Sequence, residues 1–284
     1  MSRGKLRGLL RLFRFELPFT AGVCVILGEI LALGALPPLR EMSLGFLSVF
    51  FISASALILN DYFDIEHDRI NAPQRPLPSG LVTERDVVVL SIAITILGFI
   101  TAAIISFEVL AAVVIVWAVG FLYNWRFKNA GIIGNLMVCF SVGMTFIVGG
   151  VVVQRPFETI VWFFAIWVLL IDLGEEIAAD AMDVEGDRHA GSRSLAVRFG
   201  RERALNFSAI IFLVVVAVSS VPFFLKWFEL IYLLPVLLTD AVILYSVVKL
   251  RDERIADRRK YIRSIYLSGL VTLVLLITIR VIRA

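Results

Sequence analysis

Charge is scarce in this sequence, and cysteine scarcer still. Only 18% of the 284 residues are charged and 60% are hydrophobic, whereas soluble proteins carry about 25% charged residues. The two cysteines, Cys24 and Cys139, lie in apolar segments with neither CxxC spacing nor a nearby histidine, so we expect buried, inert side chains. The chain also lacks a polar linker, a low-complexity run and a hydrophilic segment of domain size. These absences exclude an ordinary soluble protein and predict one membrane-embedded domain.

Hydrophobic segments long enough to cross a bilayer, which takes about 20 residues, account for most of the chain. We place nine such spans, at about 17–35, 43–62, 87–106, 108–125, 132–153, 160–180, 205–225, 228–248 and 261–281. The third and fourth are joined by almost nothing around 106–108, which predicts a tight hairpin. No cleavable signal peptide is evident, because no small-residue cleavage site is clear. The expected fold class is all-α, a polytopic membrane protein.

The basic residues are distributed unevenly among the connecting segments. With nine spans, 22 of the 27 lysines and arginines fall on the side that holds the N-terminus, and 5 fall on the other side. Because cytoplasmic loops retain positive charge, this asymmetry predicts a multi-pass protein of the cell membrane with a cytoplasmic N-terminus. Such a basic face attracts anionic headgroups and phosphorylated substrates. Nucleic-acid binding explains it poorly, since the cations follow the topology.

An acidic phrase, D-x-x-D-[IV]-E-x-D-R, occurs twice, about 120 residues apart and each time at the end of a hydrophobic span. We call the copy with Asp61, Asp64 and Asp68 the first acidic motif, and the copy with Asp180, Asp183 and Asp187 the second. Their i, i+3, i+7 spacing predicts that each trio occupies one face of a helix. Carboxylates so placed repel each other and are costly near lipid.

Divalent cations relieve this repulsion. Mg²⁺ prefers oxygen ligands and shares its shell between one or two carboxylates, water and substrate phosphates. Two such faces opposed across a cavity predict a diphosphate site with Mg²⁺ as cofactor, and its mouth lies on the cytoplasmic side. Each motif leads into a basic loop, with Arg75 seven residues after Asp68 and Arg193 six after Asp187. His67 and His189, beside the motifs, are interpreted as tolerated loop residues.

The second motif follows the first after four spans, which predicts a four-helix unit used twice in parallel. The first repeat covers about 17–125, the second about 132–248, and an extra helix about 261–281 completes one domain. In repeat-built membrane proteins the site lies where the repeats meet. Further polar residues fit a site there, although Tyr123 also suits an interfacial belt and Asn135 an interhelical hydrogen bond. Asp172, deeper in its span, is a candidate because a lone intramembrane acid is functional by default.

These residues resemble the UbiA superfamily of intramembrane prenyltransferases. Asn60-Asp61-x-x-Asp64-x-x-x-Asp68 matches the first motif of the family and Asp183-x-x-x-Asp187 the second, and the loop 71–80 is also typical. The likeness covers the whole chain. Within the family it is greatest to archaeal enzymes that transfer a geranylgeranyl group to the hydroxyl of a prenylated glycerol phosphate in ether-lipid synthesis.

The resemblance implies roles for individual residues. Asn60, Asp64, Asp183 and Asp187 are implied as metal ligands. Asp61, Asp68 and Asp180 are implied as catalytic residues that complete the first or second shell, with Asp61 or Asp68 as the candidate that takes the proton. The diphosphate of the prenyl donor, expected to be geranylgeranyl diphosphate, would be neutralised by Arg75, Lys128 and Arg193. The phosphate of the lipid-like acceptor needs further cations, for which the candidates are Arg69, Arg188 and Arg198.

Other functions account for parts of this pattern. An aromatic acceptor from quinone synthesis fits nearly as well, although the arginines after Asp187 favour a phosphorylated one. A cation transporter would place its acids near the middle of the membrane rather than at one face. A soluble terpene synthase also uses paired aspartate motifs but does not explain the asymmetry of basic residues. The acid spacing of three and four residues excludes an EF-hand loop.

Overall fold

The computed structural model describes residues 3–283, apart from the side chains of Arg3, His67 and Asn71. Within these residues the chain is helical and contains no strand. Nine long helices correspond, within a few residues, to the nine predicted spans; they are α2 (Glu16–Leu33), α3 (Leu39–Phe63), α5 (Glu84–Ile105), α6 (Phe107–Leu122), α7 (Ile132–Val152), α8 (Thr159–Met182), α11 (Arg201–Val218), α13 (Leu233–Leu250) and α14 (Arg259–Arg283). The all-α, membrane-embedded fold is therefore confirmed.

Eight of the nine are long and apolar enough to cross a membrane by composition. The exception, α8, carries four carboxylates, so its place among the spans, and the side on which the termini lie, stay predictions. The tight hairpin is confirmed, because α5 ends at Ile105 and α6 begins at Phe107. Ser106 between them accepts a hydrogen bond from the backbone of Val109 and caps α6.

Five short helices accompany the long ones; the sequence predicted none of the first four, and the fifth lies inside the predicted span 205–225. They are α1 (Arg3–Leu12), α4 (Ile65–Asn71), α9 (Val184–His189), α10 (Leu195–Phe199) and α12 (Val221–Phe224). In α1, basic residues alternate with leucines, and the fully buried Leu12 packs into a core cluster with Leu77, Val82 and Ile58. His67 and His189 therefore lie in α4 and α9, not in loops. The side chain of His67 lies outside the described part of the chain.

Similar neighbours recur in the two halves of the chain. In the first half α2 packs on α3 and α3 on α5, and in the second α7 packs on α8 and α8 on α11. The halves meet where α2 contacts α7, and glycines there let the backbones approach. A Cβ on Gly28 would lie 2.3 Å from the carbonyl oxygen of Phe146, and one on Gly149 would lie 2.3 Å from that of Val25. This pattern supports a four-helix repeat, whose boundaries stay a prediction.

Candidate active site

Each acidic motif straddles a break between two helices. The helix α3 ends at Phe63, Asp64 has φ −91° and ψ 3°, and α4 begins at Ile65. The second motif repeats this geometry, since α8 ends at Met182 and Asp183, with φ −113° and ψ 16°, leads into α9. The prediction that each trio lies on one face of one helix is therefore wrong.

The break has an electrostatic reason. The C-terminal end of a helix carries partial negative charge, and its N-terminal end carries partial positive charge. If α3 continued unbroken, Asp64 and Asp68 would lie near its negative end. Ending it at Phe63 places Asp68 in the first turn of α4 instead. The same holds for Asp187 in the first turn of α9.

Every carboxylate of the first motif bonds to a cation. Arg14 donates to Asp61, and Lys128 donates to Asp64. Arg75 donates to both oxygens of Asp68, at 2.8 and 2.6 Å. Asp61 and Asp68 are only 2% exposed, and buried acids require such partners. Arg75 and Lys128 thus lie at the first motif, and Arg14, which the sequence did not indicate, lies there with them.

The loop that carries Arg75 is folded onto the protein. Leu77 and Val82 are buried, and the carbonyl of Pro76 accepts hydrogen bonds from the backbone of Leu81 and Val82. Because proline restricts the backbone and the leucine anchors it, the loop holds the arginine against the first motif.

A π-helical turn, Tyr123–Phe127, follows α6 and connects the two motifs. Such turns are rare and occur frequently at functional sites. Its Tyr123 lies within electrostatic range of both Asp64 and Asp180. Lys128, directly after the turn, bonds Asp64 and lies within range of Glu176 on α8. The turn therefore stands between the two acidic regions.

Side-chain amides complete this arrangement. Asn124 in the π-helical turn donates to the carbonyl of Ala56 at 3.1 Å and accepts from Asn60 at 2.9 Å. The other end of the Asn60 amide lies 3.1 Å from Asp64 Oδ2. Asn135 on α7 donates to Asp180 at 2.9 Å. Asn135 therefore makes the interhelical bond that was one of its two interpretations, and it makes that bond to a motif residue.

The second motif is bound differently. Arg259, the first residue of α14, donates to Asp183. The side chain of Arg193 is exposed, but its backbone N–H donates to Asn129 at 3.0 Å. A Cβ on Gly131 would lie 2.1 Å from the carbonyl oxygen of Arg193. The loop after the second motif is thus packed tightly on the α6–α7 connection.

Three further acids, Asp172, Glu175 and Glu176, precede the second motif on α8. Asp172 is in hydrogen-bond contact with the buried thiol of Cys139. One oxygen each of Asp172 and Glu175 is buried without a hydrogen-bond partner. Cys24 is also buried and unpaired, so the expectation of inert core cysteines agrees with the fold. The carboxylates of α8 therefore continue from the second motif into the helix bundle.

Not every predicted site residue joins this cluster. Arg69 is exposed on α4 and bonds Glu66 at 2.5 Å. Arg188 and Arg198 are exposed as well. Conversely, the sequence assigned no site role to Arg14, Asn124 or Arg259. The sequence does not single out the two arginines as site residues. Each precedes a hydrophobic span, where basic residues are expected from membrane topology alone.

The oxygen-bearing side chains of the two motifs fit an Mg²⁺ ion that is bound through few protein ligands. Among the described side chains, no three carboxylates, histidines or cysteines converge closely enough to hold a metal ion. The Asn60 amide lies 2.9 Å from Asn124 on one side and 3.1 Å from Asp64 Oδ2 on the other, so amide and carboxylate are direct neighbours. Mg²⁺ takes such oxygen-bearing side chains in small number, and water and phosphate oxygens would complete its shell.

A helical bundle with two acidic helix breaks around a basic turn defines an intramembrane enzyme that handles an anionic, lipid-borne substrate. Comparison with known proteins makes this specific: residues 21–270 match the model of the UbiA prenyltransferase family, and the chain belongs to that family. It is 33% identical over 241 residues to the digeranylgeranylglyceryl phosphate synthase of Thermococcus kodakarensis, covering 84% of this chain and 86% of that one.

Solved structures agree. The fold matches a structure of digeranylgeranylglyceryl phosphate synthase in membranes with TM-score 0.76 and 30% identity, over 95% of this chain and 98% of the other. It also matches a UbiA homologue from Archaeoglobus fulgidus bound to GPP and Mg²⁺, with TM-score 0.70 and 20% identity, over 94% of this chain and 97% of the other. The family resemblance of the motifs is confirmed, and the chain is a prenyltransferase.

Proposed function

We propose that this enzyme transfers a geranylgeranyl group from geranylgeranyl diphosphate to the free hydroxyl of geranylgeranylglyceryl phosphate, with Mg²⁺ as cofactor, in ether-lipid synthesis. The observation that carries the proposal is the pair of acidic helix breaks, at Asp64 and Asp183, on either side of a basic π-helical turn. The names of the relatives at 30–33% identity support the acceptor. The homologue bound to GPP and Mg²⁺ supports the donor class and the metal.

The metal would be held by Asn60, Asp64, Asp183 and Asp187. When bound, Mg²⁺ supplies Lewis-acid stabilisation of the departing diphosphate. Lys128 and Arg75 already lie at the first motif, bonded to Asp64 and Asp68. They are positioned to donate to diphosphate oxygens as the C–O bond breaks, and cations already held at the site lower the barrier by stabilising the departing charge. The apolar helices hold the prenyl chain and keep water from the allylic cation.

The acceptor oxygen then attacks C1 of the prenyl group, and its hydroxyl proton passes to a carboxylate. Of the three carboxylates implied as catalytic, Asp61 and Asp68 are held in ion pairs with arginines. Asp180 instead accepts from the neutral amide of Asn135. We therefore assign the proton to Asp180.

The test is turnover of the purified chain with geranylgeranyl diphosphate and a panel of acceptors. The panel contains geranylgeranylglyceryl phosphate, its dephosphorylated form and 4-hydroxybenzoate. We expect the phosphorylated lipid to be used best by a wide margin in kcat/KM. Equal use of the dephosphorylated lipid would exclude phosphate recognition, and preferred use of 4-hydroxybenzoate would establish an aromatic acceptor instead.

A further inference from the structure

A cavity of about 660 Å³ lies beside the second acidic motif, among the turn from α1 to α2, the end of α8 and the start of α14. Asp183 belongs both to the motif and to the cavity wall. The remaining wall residues are Arg14, Phe15, Glu16, Leu17, Ala179, Arg259, Ile262, Arg263 and Tyr266. A molecule in this cavity would therefore be a direct neighbour of the diphosphate bound at the motifs.

One part of the wall is cationic. It contains three arginines but only two carboxylates. Arg14 and Arg259 are bonded to motif carboxylates. Arg263 contacts only the exposed Glu16 among the ion pairs of the described residues, at 3.4 Å, with its own side chain 65% exposed. Exposed pairs of this kind contribute little, so Arg263 is available to a stronger anion.

The rest of the wall is mostly apolar, and its aromatic part continues along α1 and α3. Phe15, which is half exposed, stacks on Phe13 with ring centroids 5.1 Å apart and tilts against Phe50 of α3 at 6.3 Å. Leu17 and Ile262 complete this side. A cationic patch beside an apolar wall is complementary to an amphiphile with an anionic head and a hydrocarbon chain, and not to a small polar solute.

Building on the function proposed above, we propose that this cavity binds the prenylated glycerol phosphate acceptor, with its phosphate on Arg263 and Arg259 and the start of its chain against Phe15, Leu17 and Ile262. Guanidinium groups match phosphate oxygens bidentately. A phosphomonoester dianion outcompetes the single carboxylate of Glu16 for Arg263. The hydroxyl of an acceptor held there lies toward the end of α8, which carries Asp180 and Asp183, and toward the neighbouring diphosphate.

The primary variant is Arg263→Gln, because the ion pair of Arg263 among the described residues is with Glu16 and not with a motif residue. We expect its KM for geranylgeranylglyceryl phosphate to rise about ten- to a hundredfold, the loss typical of one charge-assisted contact. Its KM for geranylgeranyl diphosphate and its turnover of the dephosphorylated acceptor should stay unchanged. Arg263→Lys should recover part of the loss. Arg251→Gln, an exposed arginine at the end of α13, is the matched control and should match the wild type.

Glu16→Gln separates recognition from a structural role. Since Glu16 competes with the acceptor phosphate for Arg263, its neutralisation should lower the acceptor KM severalfold. A merely structural ion pair would give no gain when broken. An unchanged or higher acceptor KM in Glu16→Gln would contradict the proposal.

Direct binding keeps this test independent of the proposed reaction. Binding of geranylgeranylglyceryl phosphate is measured by calorimetry without metal or prenyl diphosphate, for the wild type and Arg263→Gln. Weaker binding by the variant supports the subsite even if wild-type turnover with this acceptor fails, which would refute only the proposed function. Equal binding overturns the subsite. The subsite is also overturned by a second result, in which Arg263→Gln leaves the acceptor KM unchanged but removes a difference in turnover between phosphatidylglycerol and phosphatidylcholine nanodiscs. The cavity would then bind a lipid headgroup instead of the acceptor.

Discussion

Lys128 donates a hydrogen bond to Asp64, although the two residues lie 64 positions apart. The pair joins the connection after α6 to the break between α3 and α4, and the motif acid is only 13% exposed. A cation is needed there because Asp64, Asp61 and Asp68 follow each other within eight residues. If Mg²⁺ were held by Asp64, Lys128 would be released from this bond and could donate to a diphosphate. One lysine would then serve the site both before and after the substrate binds.

Removing divalent metal should abolish prenyl transfer. We expect turnover to disappear with EDTA and to return with Mg²⁺ or Mn²⁺, because the carboxylates need a cation to bridge them to diphosphate. The measurement is initial rate against free metal concentration, with binding of labelled geranylgeranyl diphosphate as a second readout. Full turnover in metal-free buffer would contradict a metal-bridged diphosphate.

Neutralising the middle aspartate of either motif should stop the reaction. Asp64→Asn and Asp183→Asn should each lower kcat/KM about a hundredfold or more, as removal of single electrostatic groups does in active sites. Neither should raise the melting temperature, since each carboxylate loses an ion pair, to Lys128 or Arg259. Asp252→Asn is the control: this acid bonds Arg254 in the α13–α14 connection, where the guanidinium lowers the pKa of the carboxyl to about 2. Near-normal turnover in a motif variant would remove that residue from the ligand set.

The sequence predicted the long helices because each is a hydrophobic run of the length of a bilayer. It did not predict the breaks at Asp64 and Asp183, because the i, i+3, i+7 spacing is equally compatible with one continuous helix. Repulsion at the helix end decides between the two, and that depends on where each helix ends in the fold. Arg14 was missed for a similar reason: it reaches Asp61 across 47 residues, and only tertiary packing brings them together.

The contact between Gly131 and the loop after the second motif should be sensitive to a single methyl group. Gly131→Ala should lower both the melting temperature and turnover, because φ is +66° and the added Cβ would lie 2.1 Å from the carbonyl oxygen of Arg193. Gly191→Ala is a matched control, with φ +71° but open space around it. Its free energy of unfolding should fall only by the cost of a side chain at positive φ, about 1–2 kcal/mol. Equal effects of the two variants on turnover would show that the loop contact does not position the motif.

If Asp180 accepts the proton, its substitution should change kcat but not KM. Asp180→Asn should lower kcat while leaving the KM of both substrates close to the wild type, because the amide keeps the shape of the side chain but accepts no proton. Asn135→Leu, which removes the bond that orients Asp180, should lower kcat by a smaller factor. A large rise in the KM of the prenyl diphosphate would instead identify Asp180 as part of the diphosphate site.

The last prediction separates two sets of arginines that compete for the acceptor phosphate. The sequence assigned this phosphate to Arg69, Arg188 and Arg198, which follow the motifs directly. All three are exposed, Arg69 is bonded to Glu66, and none lines the cavity beside Asp183. Arg69→Gln, Arg188→Gln and Arg198→Gln should therefore leave the acceptor KM within about twofold of the wild type, the scatter expected for surface changes of up to about 0.5 kcal/mol. A tenfold rise in any one of them, with Arg263→Gln unaffected, would return the acceptor phosphate to the loops after the motifs.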